Sequence, residues 1–149
     1  MVILKGKLGV IGAGVMGRTL IKGILATKLV PRNRIWAAAR TKESCQRVKS
    51  ELAVDALTNY KSELAESEIL VLCVKPSGMK PVLEQLKQWG LPKETLVISI
   101  VAGVSIEEIE ETLGSKNPVI RAMPNTPCTV GQGMTAICAG SASNSSGRR

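Results

Sequence analysis

Gly12, Gly14 and Gly17 stand between a short apolar run, Lys7 to Ile11, and a stretch in which Met16, Leu20, Ile21, Ile24 and Leu25 recur at helical spacing until Pro31. Three glycines at this spacing between a strand and a helix commit the chain to a tight turn at that point. Gly12 allows the turn, Gly14 leaves room for a pyrophosphate to approach the backbone, and Gly17 lets helix and strand pack closely. The N–H groups that open the helix then meet the anion. A turn chosen only for packing has the same spacing, and it is the position between strand and helix that favours a phosphate.

The strand and helix pattern repeats downstream. Ile35 to Ala39 reads as a second strand, stopping at Arg40-Thr41-Lys42 before an amphipathic stretch with Cys45, Val48 and Leu52 on one face. Val54 to Leu57 predicts a short third strand, followed by a weak helix around Ser62 to Ser67. Ile69 to Val74 is apolar without alternation, which implies burial on both faces of a parallel sheet, and it closes at Lys75-Pro76. Pro81 is expected in the first turn of the next helix, with Val82, Leu83 and Leu86 as its inward stripe. Leu96 to Val101 is another strand, Ala102-Gly103 a turn, and Ser105 with Glu108 a capping box for a helix carrying Ile106, Ile109 and Leu113. Val119 to Met123 resumes the sheet and Met134 to Ala139 ends it. This alternation predicts a single α/β domain over residues 1–140, a Rossmann-type, doubly wound, mainly parallel sheet with helices on both faces. Residues 141–149 hold no apolar residue larger than alanine and are expected to form a disordered tail or linker.

Composition narrows the chemistry. The chain has no histidine, which excludes an imidazole base, a Ser-His-Asp triad and imidazole metal ligands. Trp36, Trp89 and Tyr60 are the whole aromatic content, too little for a surface that stacks nucleic-acid bases, so no nucleic-acid partner is expected. No apolar run reaches the ~18 residues of a membrane helix, no export signal is visible, and the four cysteines form no CxxC pair. A cytoplasmic protein away from membranes is the expectation, with no metal site. Glu107, Glu108, Glu110 and Glu111 read as one solvated helix face rather than a catalytic carboxylate pair. Cys73, Cys128 and Cys138 read as buried small apolar residues, and Lys75 as a solvated strand-end lysine in preference to a desolvated base.

The net charge of +8 is unevenly placed, because residues 1–50 carry eleven Lys or Arg against the single acid Glu43. Such a region suits a polyanion or the phosphates of a small ligand. In an NAD site an Asp or Glu about 20 residues past the glycines takes the ribose 2′-hydroxyl. Here Arg40 stands in that place, with Thr41 and Lys42. A guanidinium and a hydroxyl suit a 2′-phosphate and a carboxylate would repel it, so NADP (NADPH) is expected, with NAD as the lesser option. A solvent-facing basic turn is the alternative at this position.

Several segments together resemble the pyrroline-5-carboxylate reductases of proline biosynthesis: Gly9-Val-Ile-Gly-Ala-Gly-Val-Met-Gly17, Val74-Lys75-Pro76, Ser99-Ile-Val-Ala-Gly103, Arg121-Ala-Met-Pro-Asn-Thr-Pro127 and Gly131-Gln-Gly-Met-Thr135. The resemblance covers about residues 7–140. It implies that Ile11, Gly12, Ala13, Gly14, Val15 and Met16 hold the pyrophosphate, with Gly17 closing the motif, and that Ala39, Arg40 and Thr41 sit at the 2′-phosphate. It also implies that Asn59 lies on the adenosine side, that Val74, Lys75, Pro76, Ala102 and Gly103 line the nicotinamide half, and that Met123, Pro124, Asn125 and Thr126 form the far wall near the substrate. Ala39 departs from the serine that the family often places there, leaving more of the phosphate recognition to Arg40 and Thr41.

Length is the larger departure. In the family a helical domain follows, which dimerises and supplies polar groups for the pyrroline carboxylate, so this chain resembles the cofactor half. The implied reaction is hydride transfer from NADPH to the imine carbon of 1-pyrroline-5-carboxylate, giving L-proline. That chemistry needs no protein nucleophile, and no catalytic residue is assigned in this chain. Two alternatives stay open: a cofactor-binding module with no turnover of its own, and the cofactor half of a related hydroxyacid dehydrogenase. Arg40 and the 121–127 stretch count against the second.

Overall fold

The structure, a computed structural model, describes residues 4–114, 116–124 and 135–141. The elements run β1 (Lys7–Ile11), α1 (Val15–Ala26), β2 (Ile35–Ala38), α2 (Lys42–Leu52), β3 (Asp55–Leu57), α3 (Lys61–Leu64), β4 (Ser67–Leu72), α4 (Pro76–Trp89), β5 (Leu96–Ser99), α5 (Ile106–Leu113), β6 (Val119–Pro124) and β7 (Thr135–Ala139). One sheet of order β3-β2-β1-β4-β5-β6-β7 takes in every strand among the described residues. All neighbours are parallel except the antiparallel pair β6 and β7.

Short aliphatic strands joined through helices leave parallel pairing as the way to bury both faces, and right-handed crossovers then decide which face each helix covers. From β1 the chain first winds outward through β2 and β3, so α1 and α2 share one face. It then returns past β1 to β4, β5 and β6, which puts α4 and α5 on the other. The core accordingly forms two clusters. One holds Val10, Ile21, Val48 and Val71 beneath α1 and α2, and the other holds Leu70, Leu72, Met79, Leu83, Leu86 and Ile109 beneath α4 and α5. Strand β4 serves both, as its uninterrupted apolar run predicts.

Trp36, fully buried in β2, lies across β1. A Cβ on Gly9 would fall 2.2 Å from its ring, so only glycine fits there. All three aromatics meet: Trp36 stacks on Tyr60 at 5.4 Å between centroids, and Trp89 packs edge-on to Tyr60 at 5.1 Å. Their polar tips are satisfied, because Trp36 Nε1 donates to Ser67 Oγ at 3.0 Å and the Tyr60 hydroxyl donates to Gln85 Oε1 at 3.0 Å. Burial pushes the Tyr60 phenol up to about 12.

Three expectations are corrected. Pro81 lies inside α4, because Lys75 is the N-cap and Pro76 fills the first helical position that suits proline. The inward stripe therefore begins at Met79 and continues through Leu83 and Leu86, while Val82 is only half-buried. Ser67 opens β4 instead of closing the preceding helix, which ends at Leu64. Cys138 is exposed, since β7 is the last strand of the sheet and Thr135, Ala136 and Ile137 beside it are exposed too. The expected tail lies outside the described residues from position 142 onward, as does Cys128; Ser141 itself donates from its N–H to Glu110 Oε1 at 3.0 Å. Among the described residues no helix is long and apolar enough to cross a membrane.

Candidate nucleotide site

The residues singled out by sequence collect at one edge of the sheet. Ile11 ends β1, Ala39 to Thr41 follow β2, Asn59 follows β3, Val74 to Pro76 follow β4, Ala102 and Gly103 follow β5, and Met123 and Pro124 close β6. Parallel strands necessarily bring these carboxyl ends together. The chain order reverses between β2 and β4 on either side of β1, and that reversal opens the crevice in which open α/β sheets bind ligands. Asn125 and Thr126 lie outside the described residues.

The glycine turn is built from both of its neighbours. Gly12 has φ +102, and a Cβ there would meet the Cys73 carbonyl carbon and oxygen at 2.7 Å each. A Cβ on Gly17 would come within 2.2 Å of the Gly12 carbonyl oxygen, which is how closely α1 seats on β1. Gly12 N–H and Ala13 N–H both donate to the Ala38 carbonyl, at 3.0 and 3.1 Å, and Cys73 N–H donates to the Ile11 carbonyl at 2.8 Å. The turn is thus pinned to β2 and β4. Above Gly14, by contrast, a Cβ would meet nothing within 4 Å. Gly14 is the N-cap of α1 with no side-chain cap, the first turn holds no acid, and the first intrahelical bond is Arg18 N–H to Gly14 at 3.0 Å. The Gly14 amide has no hydrogen-bond partner among the described residues, so the turn offers a donor and open space to an anion. Val15 stands 71% exposed over it, with Met16 half-buried behind.

At the end of β2, Ala39 N–H donates to the Leu57 carbonyl at 3.1 Å, tying this turn to β3. Arg40 is exposed, and among the described residues it forms no ion pair. Thr41 is the N-cap of α2: its Oγ accepts from Ser44 N–H at 3.2 Å and donates to Ser44 Oγ at 3.0 Å. Its hydroxyl is therefore committed to the helix, and the positive end of α2 faces the same turn as Arg40. Beside it, a cleft of about 390 Å³ runs between α2 and the end of β3, lined by Lys42, Gln46 and Lys49 on one side and Leu57, Thr58 and Asn59 on the other. Asn59 Oδ1 accepts from Lys61 N–H at 3.2 Å, which fixes its side chain at the cleft mouth.

On the far side, Lys75 is exposed at the N-terminus of α4, as a solvated lysine should be. Ala102 and Gly103 form an exposed turn with φ +75 at Gly103, and Met123 is 41% exposed. Cys73 is half-buried beneath the glycine turn, where burial pushes its thiol up to about 12 and leaves it a poor nucleophile. Sequence reasoning missed three residues here. Gln46 and Lys49 share the helix face of Lys42 by their spacing of four and seven, a signal present in the chain. Arg18, directly after the glycine motif, had no periodicity to mark it.

Residues 7–103 match the family model described as NADP oxidoreductase, coenzyme F420-dependent. The chain belongs to this family. Among curated proteins it is similar to the pyrroline-5-carboxylate reductase of Escherichia coli strain K12, 32% identical over 134 residues, which is 90% of this chain and 49% of that protein. Among solved structures it is similar to the pyrroline-5-carboxylate reductase of Coxiella burnetii, with a TM-score of 0.89 at 30% identity, covering 97% of this chain and 53% of that one. The Plasmodium falciparum pyrroline carboxylate reductase, solved with NADP bound, gives 0.82 at 29% identity, covering 97% and 52%. The chain spans about half the length of the curated relatives it matches.

Proposed function

We propose that residues 1–140 form the NADPH-binding half of a pyrroline-5-carboxylate reductase. The observation that carries this reading is the pairing, on one sheet edge, of an acid-free glycine turn with the cationic turn Arg40-Thr41-Lys42. The space above Gly14 and the uncommitted charge of Arg40 fit a pyrophosphate and a 2′-phosphate respectively. NADPH, when bound, would supply a hydride for the imine carbon of 1-pyrroline-5-carboxylate, whose ring nitrogen takes a proton from water, giving L-proline and NADP+.

In this reading Ile11 to Met16 hold the pyrophosphate with Gly17 closing the motif, Arg40 grips the 2′-phosphate from the turn that Ala39 and Thr41 complete, and Asn59 lies on the adenosine side. Val74, Lys75, Pro76, Ala102 and Gly103 orient the nicotinamide, and Met123 with Pro124, Asn125 and Thr126 forms the wall toward the substrate. The relatives' names and the bound NADP of the Plasmodium falciparum protein support it. So do the three free cysteines among the described residues, which suit the reducing cytoplasm. The groups that grip the pyrroline carboxylate, and the contacts of a homo-oligomer, are assigned to the half of the relatives' length that this chain does not match.

Titration with NADPH and NADH, followed by quenching of Trp36 and Trp89, tests the cofactor. NADPH should bind the more tightly, and Arg40→Ala should weaken NADPH by about tenfold or more, the size of a charge-assisted hydrogen bond, while leaving NADH unchanged. Binding of neither nucleotide, or preference for NADH with no effect of Arg40→Ala, rejects the reading. Residues 1–149 alone should form no proline. Joined to the unmatched half of the Escherichia coli relative, they should form it with NADPH.

A further inference from the structure

Arg18 occupies the first turn of α1 and reaches back over the glycine turn. Its Nη1 donates to the Ala13 carbonyl at 3.2 Å, and its Nε stands 3.2 Å from Glu51 Oε2 on α2. The Ala13 residue is thereby held from both ends, since its own N–H donates to the Ala38 carbonyl at 3.1 Å. Across a trans peptide the C=O and the following N–H point in opposite directions. A carbonyl drawn toward Arg18 therefore turns the Gly14 N–H the other way, and that N–H has no hydrogen-bond partner among the described residues. If the carbonyl were free to rotate, the peptide plane could turn its oxygen to the side that the Gly14 N–H now occupies.

We propose that Arg18 is a positioning residue for the pyrophosphate of the nucleotide. It locks the Ala13 carbonyl inward so that the Gly14 amide is presented outward, and Glu51 holds the guanidinium in the orientation that makes this possible. The inference rests on the nucleotide reading above. Arg18 works by direction rather than by charge. Glu51 neutralises it, and one guanidinium satisfies a carboxylate and a carbonyl at once through separate N–H groups, which a lysine ammonium on a flexible stem does not reproduce.

Calorimetric titration of wild type, Arg18→Ala, Arg18→Lys and Glu51→Gln with NADPH, NADH and adenosine 2′-monophosphate tests it, with thermal unfolding of each variant measured alongside. Arg18→Ala should weaken NADPH and NADH alike by about tenfold, and should change the adenosine 2′-monophosphate affinity by less than about twofold, because that probe has no pyrophosphate. Arg18→Lys should not restore binding. Glu51→Gln, on a half-exposed side chain, should keep the fold and show the same pattern to a smaller degree. Equal NADPH binding by Arg18→Ala, full rescue by lysine, or equal loss of all three ligands overturns the proposal while leaving the cofactor reading intact. Wild type that binds neither dinucleotide removes both.

Discussion

Gly12 and Gly14 are two residues apart and do opposite work. Gly12 sits at φ +102 with the Cys73 carbonyl where a side chain would go, so Gly12→Ala strains the backbone and collides with it, and should cost about 2 kcal/mol or more of stability. Gly14 has φ −74 and open space, so Gly14→Ala should cost under about 1 kcal/mol of stability, the difference between glycine and alanine at an N-cap. On the proposed reading it should nonetheless abolish tight NADPH binding, because the methyl group would stand in the open space assigned to the pyrophosphate. Denaturant melts and nucleotide titrations of the two variants should therefore rank them in opposite orders. Residue-scale burial also sets the behaviour in alkali. Burial raises the Cys73 thiol from an ordinary 9.0, and the Tyr60 phenol from 10.0, to about 12 each. Between those limits the unfolded chain releases protons that the folded chain keeps, so stability falls as pH rises from about 9. Urea midpoints should be level from pH 7 to pH 8.5 and decline above it, and Cys73→Ala should reduce the slope; a flat profile to pH 11 would refute this.

At the scale of elements, periodicity made most of the fold legible. Cys45, Val48 and Leu52 predicted the buried face of α2, the Ser105 and Glu108 pair predicted the start of α5, and both are realised, the second as a full capping box. What failed was local and has local causes. Two prolines and a glycine between positions 76 and 81 look like a loop, and only the packing of Met79 against the sheet shows that α4 already runs through them. The exposure of Cys138 was invisible because Thr-Ala-Ile-Cys-Ala reads the same on an edge strand as in a core. At the site, strand ends were legible from the motifs, whereas Arg18 and the α2 cleft depend on how α1 and α2 lie together, which no single segment encodes. Pro81 offers the element-scale test. It gives no N–H to the Ser77 carbonyl one turn back, so Pro81→Ala should lengthen the bonded run of α4 and raise stability by about 1–2 kcal/mol after allowance for a more flexible unfolded chain. Unchanged or lower stability would mean that the carbonyl of Ser77 is already satisfied elsewhere.

On the scale of the whole molecule, the two core clusters lie on opposite faces of one sheet and share its strands. Leu70 and Leu72 of β4 point into one cluster while Val71 between them points into the other. Neither cluster can open without exposing the backs of residues that the other needs, so the described fold should unfold as one cooperative unit. The sequence happens to carry a separate reporter on each face. Trp36 and Trp89 belong to the cluster under α4 and α5, and the buried thiol of Cys45 belongs to the cluster under α1 and α2. Tryptophan emission and mass-spectrometric labelling of Cys45, followed through one urea series, should therefore trace the same midpoint. On the proposed reading a nucleotide across the β1 and β4 crevice would touch elements of both faces, so NADPH should move both signals together, by about 2.7 kcal/mol at a hundred times its dissociation constant. Labelling of Cys45 that precedes the loss of tryptophan emission would show that α1 and α2 detach independently, and the glycine turn and the Arg40 turn would then form a unit separable from the nicotinamide half.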